Sequence, residues 1–254
     1  MIPGALRTAW MLLCMVAATV FYGSTAVLLA LFGVRGHIFV MWSRQWARIA
    51  LWGSGSKAVA HGMENVVPGE PFILVANHLS WFDVFAIAKL LRVDFHFVAK
   101  KELEKVPLFG LAWRVAGHIS IDRSNRERAV QSLRRAGEQM RAQRSVVVIF
   151  AEGTRSRTGR LQPFKKGAFV LAHKTGIPII PTVVTGSFDI MRPDTFIVRP
   201  ATIHVYFEPP VSPQGLSVEE LTARVREVFV RRLAAAGEPL PEAVPAAPLP
   251  VGEE

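Results

Sequence analysis

Apolar residues follow a regular alternation over most of the chain. From about residue 70 onwards, short runs rich in β-branched and aromatic residues alternate with stretches of helical periodicity. The short runs predict strands at 71–76, 95–99, 118–121, 145–150, 178–184 and 202–207. The stretches between them predict helices at 83–92, 108–116, 127–143 and 167–175. Because strands alternate with helices, the chain is predicted to form an α/β fold with a mainly parallel sheet flanked by helices.

The pattern ends in a helix and a tail. Ser217 and Glu220 form the Ser-x-x-Glu pattern of a capping box, which predicts a last helix from residue 217 to about residue 235. After Gly237 the sequence contains five prolines and no helical or strand period. Residues 238–254 are therefore predicted to be a disordered, proline-rich tail.

The first part of the chain has a different pattern. Residues 8–34 carry no charge and are long enough to cross a bilayer as one helix, which is the arrangement we expect. Residues 23–25, Gly-Ser-Thr, weaken the middle of this helix, so the alternative is a pair of shorter helices lying in one leaflet. The next residues mix arginine with tryptophan, which suits a headgroup interface on the cytoplasmic side. Residues 1–56 are thus predicted to be a membrane-anchoring helical segment, and residues 57–237 an α/β domain.

The net charge of the chain indicates which classes of partner it is expected to bind. Its 30 Lys and Arg against 20 Asp and Glu give a formal net charge of +10, which favours nucleic acid, an anionic membrane surface or a phosphorylated substrate. The sequence contains no nucleic-acid-binding motif, and a nucleic-acid-binding protein is not expected to carry an apolar N-terminal segment. The single cysteine, Cys14, excludes an intrachain disulfide. We therefore expect lipid or phosphorylated partners and no nucleic acid.

A polar motif, Asn77-His78-Leu-Ser80-Trp-Phe-Asp83, lies where a predicted strand meets a predicted helix. One interpretation is structural: Ser80 and Asp83 form a capping box, and His78 only occupies the turn. The other is chemical: the turn lets the Asp83 carboxylate accept a hydrogen bond from one imidazole nitrogen of His78. The second nitrogen is then a base that can take a proton from a hydroxyl group. The motif predicts either a cap alone or a cap that also holds a dyad for activating an alcohol.

A second polar segment, residues 150–160, follows a predicted strand directly. Gly153 permits a close turn, Glu152 is expected to orient a basic partner, and Arg155 is the first of three arginines suited to phosphate. The alternative is a solvated basic loop. We favour binding, because α/β folds place ligands at the carboxyl ends of strands.

Two further segments of the sequence are candidates for contact with a ligand. Residues 117–123 end another predicted strand, where Asp122 and Arg123 offer a phosphate contact and His118 is interpreted as a packing residue. Residues 176–184 are apolar and are interpreted as core or as an apolar wall. The sequence lacks the spacings typical of zinc ligands, nucleotide-phosphate loops and a Gly-x-Ser-x-Gly nucleophile elbow. Neither a metal ion nor a protein nucleophile is therefore expected.

These four segments, in this order, resemble the blocks of the glycerolipid acyltransferase family, most closely those of its bacterial 1-acylglycerol-3-phosphate acyltransferases. The resemblance covers roughly residues 70–210. Ala151 stands where the third block of the family has a proline, a difference that affects the rigidity of the turn more than the chemistry.

The resemblance implies a role for each matching residue. His78 is the general base, and Asp83 is its orienting partner. The other matching residues are implied to bind the acceptor; they are Asn77, Ser80, Lys100, Asp122, Arg123, Glu152, Gly153, Thr154 and Arg155. No cofactor is implied, because the acyl donor is a substrate, either acyl-CoA or acyl carrier protein.

The implied reaction is acyl transfer from that donor to the sn-2 hydroxyl of 1-acylglycerol 3-phosphate. The resemblance leaves glycerol 3-phosphate and lyso-ornithine lipid as alternative acceptors. A non-catalytic membrane-binding protein with the same fold is a further alternative. The expected location is the cytoplasmic face of the inner (cell) membrane.

Overall fold

The computed structural model describes residues 3–34, 36–122, 124, 126–192 and 195–240. The helices are α1 (Gly4–Leu31), α2 (His37–Ser54), α3 (Phe82–Leu90), α4 (Phe109–Val115), α5 (Arg126–Gln143), α6 (Gly167–Thr175) and α7 (Val218–Ala235). The strands are β1 (Lys57–His61), β2 (Ile73–Ala76), β3 (Phe95–Lys100), β4 (Ile119–Ile121), β5 (Val146–Phe150), β6 (Ile179–Thr185) and β7 (Thr202–Phe207). Short 3-10 helices follow β1 and β3, at Met63–Asn65 and Lys101–Lys105. Most of the predicted proline-rich tail, from residue 241 onwards, lies outside the described residues.

The predicted α/β fold with a mainly parallel sheet is confirmed. The strands form one sheet in the order β1-β7-β6-β2-β5-β3-β4. Neighbouring strands are parallel except for β6 and β7, which are antiparallel. The sequence patterns missed β1, because its five residues alternate between exposed and half-buried positions and form no apolar run. This weak signal is typical of an edge strand, which packs less of its surface than a central strand does.

Apolar side chains fill both faces of the sheet. In β2, Leu74 and Ala76 face one layer and Ile73 and Val75 face the other, and all four are 0% exposed. The first face is covered by α1, α2 and α3, and the second by α5, α6 and α7. Two-sided burial is typical of parallel sheets, and it explains why the central strands appear in the sequence as continuous apolar runs.

The order of the strands creates a crevice at one edge of the sheet. After β2 the chain crosses to β3 through α3 on the first face, and after β5 it crosses to β6 through α6 on the second face. The two strands are neighbours, with Ala76 opposite Phe150 at their carboxyl ends. Adjacent strands whose connections leave on opposite faces open a crevice between their carboxyl ends, where α/β folds bind ligands. Residues 77–83 and 151–160 leave the sheet at this crevice.

The first helix is continuous through residues 23–25, where the sequence indicated a weak point. The Thr25 hydroxyl donates to the Phe21 carbonyl at 2.6 Å, so it is satisfied within the helix. Helix α2 returns along α1: the Trp52 ring contacts Trp10, and Trp42 contacts Tyr22. The two helices therefore form an antiparallel hairpin, and residues 8–34 do not contain the pair of short helices considered from the sequence.

Both halves of α1 contact the α/β domain. The Val198 backbone N–H donates to Thr8 Oγ1 at 2.9 Å. Gly23 lies against Leu108, whose Cγ would be 2.8 Å from a Cβ atom at the glycine position. At about 1.5 Å per residue these contacts are about 22 Å apart along the helix. Helix α1 is therefore packed against the domain over much of its length, and the spanning arrangement stays a prediction. By length and composition alone, α1 is a weak candidate for a membrane anchor.

The predicted capping box of the last helix is confirmed. The Ser217 hydroxyl accepts the Glu220 N–H at 3.2 Å, and Glu220 Oε2 accepts the Ser217 N–H at 2.8 Å. The helix then buries Leu221, Val225 and Phe229 against the second face of the sheet. The cap therefore fixes the start of the helix that closes this layer.

Candidate active site

His78 and Asp83 face each other across the turn that follows β2. His78 Nδ1 lies 2.9 Å from Asp83 Oδ2, and the side chains are 15% and 0% exposed. An ionised carboxylate only accepts hydrogen bonds, so in a neutral imidazole ring Nδ1 carries the proton and Nε2 is able to accept one. The His78 ring also stacks on Phe150 at the end of β5, with ring centroids 4.1 Å apart. The turn therefore presents an oriented base at the carboxyl edge of the sheet.

The Asp83 carboxylate is held by donors other than His78. Oδ2 also accepts the backbone N–H of Leu79 at 2.6 Å and that of Ser80 at 2.8 Å. Oδ1 accepts the hydroxyl of Ser187, which lies in the connection after β6. A buried carboxylate is tolerated only when its oxygens are hydrogen-bonded. These bonds fix the orientation of the carboxylate and, through it, that of the imidazole.

The predicted capping box at this turn is only half present. The Ser80 N–H donates to Asp83, but α3 has Trp81 as its N-cap and receives no side-chain cap. Ser80 Oγ lies instead 3.5 Å from the Met191 carbonyl oxygen. The turn is thus organised around the carboxylate of Asp83 rather than around the hydroxyl of Ser80.

Asn77 joins two strands behind the site. Its Nδ2 donates to the Val184 carbonyl at 2.8 Å, and its Oδ1 accepts the Val184 N–H at 2.7 Å. Asn77 is 1% exposed and Ser80 is 0% exposed. Both residues were implied by the resemblance to bind substrate, but within the described part of the chain they support the turn from behind.

Glu152 ties the two loops of the crevice together. Its Oε1 accepts the backbone N–H of His78 at 2.9 Å, and its Oε2 accepts that of Gln162 at 3.1 Å. The sequence indicated a basic side chain as its partner, whereas in the structure both oxygens receive backbone amides. Burial raises the pKa of Glu152 from its ordinary 4.5 to about 7; the amide hydrogen bonds oppose the rise, and the negative charge of Asp83 adds to it.

A cavity of about 1010 Å³ opens beside His78. Part of its wall is apolar and comes from α1, α2 and α4, including Gly23, Trp46 and Trp113. The polar part comes from the turn after β2 and the loops after β3 and β5. It brings together these predicted site residues: His78, Lys100, Glu152, Gly153, Thr154 and Arg155. A cavity with an apolar wall, a base and cations fits an amphipathic ligand that has an acidic headgroup.

Among the described residues, three cationic side chains line the cavity, Lys100, Arg155 and Lys165, and the two that the sequence predicted, Lys100 and Arg155, come from different loops. The Arg155 guanidinium lies over the Trp81 ring, 5.1 Å from its centroid, which restricts its position. Lys100 is exposed at the end of β3. Both line the same cavity as His78.

Asp122 has a supporting position. Its Oδ2 accepts a hydrogen bond from Lys101 Nζ at 2.9 Å, and its Oδ1 accepts one from the Ser124 hydroxyl at 2.6 Å. The hydrogen bond from Ser124, followed by that from Lys101, holds the pKa of Asp122 well below its usual range. Asp122 thus fixes the loop after β4 to the loop after β3. Its neighbour Arg123, predicted to bind phosphate, lies outside the described residues.

Two residues of the site have roles that the sequence analysis missed. Ser187 is 104 residues from Asp83 and belongs to no motif, so only the fold reveals their contact. His118 also lines the cavity, and its Nδ1 accepts the Phe97 N–H at 3.2 Å. Burial lowers the pKa of His118 to about 3, so this ring is a neutral part of the wall.

Comparison with protein-family models matches residues 57–185 to the family described as Acyltransferase. The chain belongs to the acyltransferase family. The family that the four sequence blocks implied is therefore confirmed, and the matched residues contain both the turn at 77–83 and the loop at 150–160.

Individual members of the acyltransferase family are similar over long stretches. The 1-acyl-sn-glycerol-3-phosphate acyltransferase of Limnanthes douglasii is 40% identical over 171 residues, which are 66% of this chain and 61% of the relative. The protein of that name from Saccharomyces cerevisiae is 33% identical over 177 residues, 68% of this chain and 58% of the relative. The chain thus spans about three fifths of the length of these relatives.

A solved acyltransferase structure is similar over almost the whole chain. It is the crystal structure of the 1-acyl-sn-glycerophosphate acyltransferase PlsC from Thermotoga maritima, with a TM-score of 0.80 and 28% sequence identity. The similarity covers 94% of this chain and 98% of that chain. The hairpin of α1 and α2 and the α/β domain therefore both fall within the shared fold.

Ser187→Ala is expected to slow acyl transfer without weakening acceptor binding. It removes a donor that orients the Asp83 carboxylate, so the imidazole of His78 is held less firmly and kcat should fall about tenfold or more. KM for the acceptor should stay unchanged, and Ser187→Thr, which keeps the hydroxyl, should recover much of kcat. Ser145→Ala is the matched control, because Ser145 is also 0% exposed and its hydroxyl has no hydrogen-bond partner. Equal effects of the two alanine variants would contradict the role of Ser187.

Glu152 should make folding stability depend on pH. A carboxyl group whose pKa is higher in the folded protein than in the unfolded chain favours folding while it is protonated. This contribution is lost as the pH rises from about 4.5 to about 7, at a cost of about 3 kcal/mol. The free energies of unfolding of wild type and Glu152→Gln, measured in detergent at about pH 5 and about pH 8, should therefore diverge. Wild type should lose more stability over this range, and parallel curves would argue against the raised pKa.

Proposed function

We propose that the protein transfers an acyl group from acyl-CoA or acyl carrier protein to the free sn-2 hydroxyl of 1-acylglycerol 3-phosphate, making phosphatidate for phospholipid synthesis. The observation that carries this proposal is the oriented His78–Asp83 pair in the wall of a cavity that also has an apolar side and Arg155. The names of the similar proteins from Limnanthes, yeast and Thermotoga support the same acceptor.

The chemistry begins at His78 Nε2, which accepts the proton of the acceptor hydroxyl. The hydroxyl oxygen forms a bond to the thioester carbonyl carbon, and Asp83 stabilises the imidazolium through its hydrogen bond to Nδ1. The carbon–sulfur bond then breaks, and the imidazolium returns the proton to the leaving thiolate. An ester and a free thiol result, and His78 is again neutral.

The phosphate of the acceptor is assigned to Arg155 and Lys100. A guanidinium group binds phosphate with two parallel hydrogen bonds, and the ring of Trp81 beneath Arg155 reduces the number of positions it can take. Holding the phosphate fixes the distance of the hydroxyl from His78, which is the positioning part of catalysis. The acyl chain of the acceptor or of the donor occupies the apolar wall formed by α1, α2 and α4.

Contact with the membrane is assigned to the helix hairpin. The inner face of α1 packs on the domain, whereas its outer face exposes large apolar side chains: Leu6, Trp10, Leu13, Val16, Val20, Phe21, Leu28 and Leu31. A helix that is packed on one side and apolar on the other is suited to lie in one leaflet, with its axis in the membrane plane. Since acyl-CoA and acyl carrier protein are cytoplasmic, we assign the domain to the cytoplasmic face of the cell membrane.

Acyl transfer by detergent-solubilised protein tests the proposal. Labelled acyl-CoA and acyl carrier protein are offered with 1-acylglycerol 3-phosphate, glycerol 3-phosphate and lyso-ornithine lipid. Wild type should make phosphatidate, and His78→Ala should lower the rate about a hundredfold or more. His173→Ala, at an exposed position on α6, is the control and should retain the wild-type rate.

The panel also separates the alternatives. Acylation of lyso-ornithine lipid alone would overturn the acceptor and the phosphate role of Arg155. Acylation of glycerol 3-phosphate alone would overturn the acceptor but leave the phosphate role in place. If neither donor supports acyl transfer, the result would favour the alternative of a non-catalytic membrane-binding protein. Full turnover by His78→Ala would refute the role of His78 as the general base.

Arg155→Ala is expected to raise KM for 1-acylglycerol 3-phosphate about tenfold or more, because a charged hydrogen bond to phosphate is lost. Arg157→Ala is the matched control: Arg157 lies in the same loop and is exposed, but it does not line the cavity. Saturation curves for the acceptor measure both variants. The same KM for Arg155→Ala and wild type would contradict the phosphate role.

A further inference from the structure

The connection between β6 and β7 exposes two large apolar side chains. Phe196 is 86% exposed, more than any other large apolar residue in the described part of the chain, and Ile197 is 45% exposed. A single exposed apolar residue is common on protein surfaces, but neighbouring ones that join a larger apolar surface mark an interaction site.

This pair is continuous with the hairpin. Ile197 Cγ2 would be 2.7 Å from a Cβ atom at Gly4, in the first turn of α1. The next residue, Val198, donates its N–H to Thr8 Oγ1 at 2.9 Å. The connection therefore packs against the start of α1, beside the outward-facing Leu6 and Trp10.

The connection also lies on the same side of the protein as the candidate active site. Because β6 is parallel to β2, the chain that leaves β6 emerges at the edge of the sheet that carries His78. The connection begins near Ser187, which holds Asp83. The exposed Phe196 therefore lies at the edge of the sheet that carries the candidate active site.

Two basic residues lie near the pair, as expected for a segment at an anionic lipid surface. Arg199 is exposed two residues after Ile197. Arg7 lies one helical turn from Gly4, and its Nη1 would be 2.9 Å from a Cβ atom at Gly55, which also lies beside Pro200. Arginine beside aromatic and aliphatic side chains is typical of the headgroup region of a membrane.

We infer that residues 195–200, which lead into β7, are a membrane-contact element of their own, which inserts Phe196 and Ile197 into the leaflet that receives the outer face of α1. This inference rests on the proposed membrane contact of the hairpin. It adds a contact at the open end of the hairpin, opposite the tip formed by Leu31 and Phe32. Contacts at both ends keep α1 parallel to the membrane plane and hold the edge that carries His78 at a fixed depth.

The depth of residue 196 tests this inference without requiring turnover. A nitroxide label is attached to Phe196→Cys in a Cys14→Ser background, and the protein is bound to vesicles of phosphatidylglycerol and phosphatidylethanolamine in equal parts. The label should be accessible to oxygen and shielded from a water-soluble nickel chelate. Glu227→Cys in the same background is the control, since Glu227 is exposed on α7, on the opposite face of the sheet, and should stay accessible to the chelate.

The affinity of full-length protein for the same vesicles gives a second readout. Phe196→Asp should weaken binding about tenfold or more, because an aromatic group inserted in the leaflet is replaced by a charge. Val67→Asp is the matched control, because Val67 is 42% exposed but lies at the opposite end of the sheet, before β2. Its affinity should equal that of wild type, and thermal unfolding should show that both variants remain folded.

The outcomes separate this inference from the proposed function. A label at residue 196 that is as accessible to the chelate as one at residue 227, on protein bound to vesicles, would overturn the insertion and leave the membrane role of α1 standing. Shielding that appears without vesicles and follows protein concentration would make the surface an interface between copies of the chain, which also overturns the insertion. Failure of wild type to bind vesicles would overturn both membrane proposals, whatever the acyltransfer assay shows.

Discussion

The buried carboxylate of Asp83 is the constraint on which the rest of the site depends. A charge at 0% exposure requires hydrogen-bond donors, and the structure supplies them from His78, two backbone amides of the turn, and Ser187. The last of these donors comes from the connection after β6, so β2 and β6 have to be neighbours. Asn77 fastens the end of β2 to Val184 of β6 and so fixes this register. The order of strands in the sheet therefore serves to hold the Asp83 carboxylate in place.

A second carboxyl group completes the support of the base. Asp83 holds the ring of His78, and Glu152 holds its backbone N–H, so ring and main chain are fixed from two sides. Glu152 lies in the loop that presents Arg155, which links the position of the base to that of the cation proposed to bind phosphate. The hairpin of α1 and α2 is the third part of the site. The inner face of α1 lines the cavity, and its outer face is apolar and exposed. In the proposed function, one helix therefore serves both the acyl chain and the membrane.

Local patterns were sufficient to predict the fold class, the central strands and the turn that carries His78 and Asp83. Each of these depends on neighbours in sequence: continuous apolar runs for two-sided burial, and a polar turn between strand and helix. The remaining features depend on contacts between distant segments. Ser187 meets Asp83 only because β6 packs beside β2, and the partners of Glu152 are backbone amides, which no residue pattern reveals. The packing of α1 on Leu108 and Val198 was likewise invisible in a segment whose composition indicated a spanning helix.

The tautomer of His78 is the most direct test of the account. Nitrogen NMR of protein with labelled histidine in detergent micelles, assigned by comparison with His78→Ala, reports which ring nitrogen carries the proton. We expect a proton on Nδ1 and none on Nε2 in the neutral form, and a mixture of tautomers in Asp83→Asn, whose amide can also donate to the ring. A His78 signal with the proton on Nε2 in the wild type would contradict the central claim, because the nitrogen assigned to take the hydroxyl proton would already be occupied.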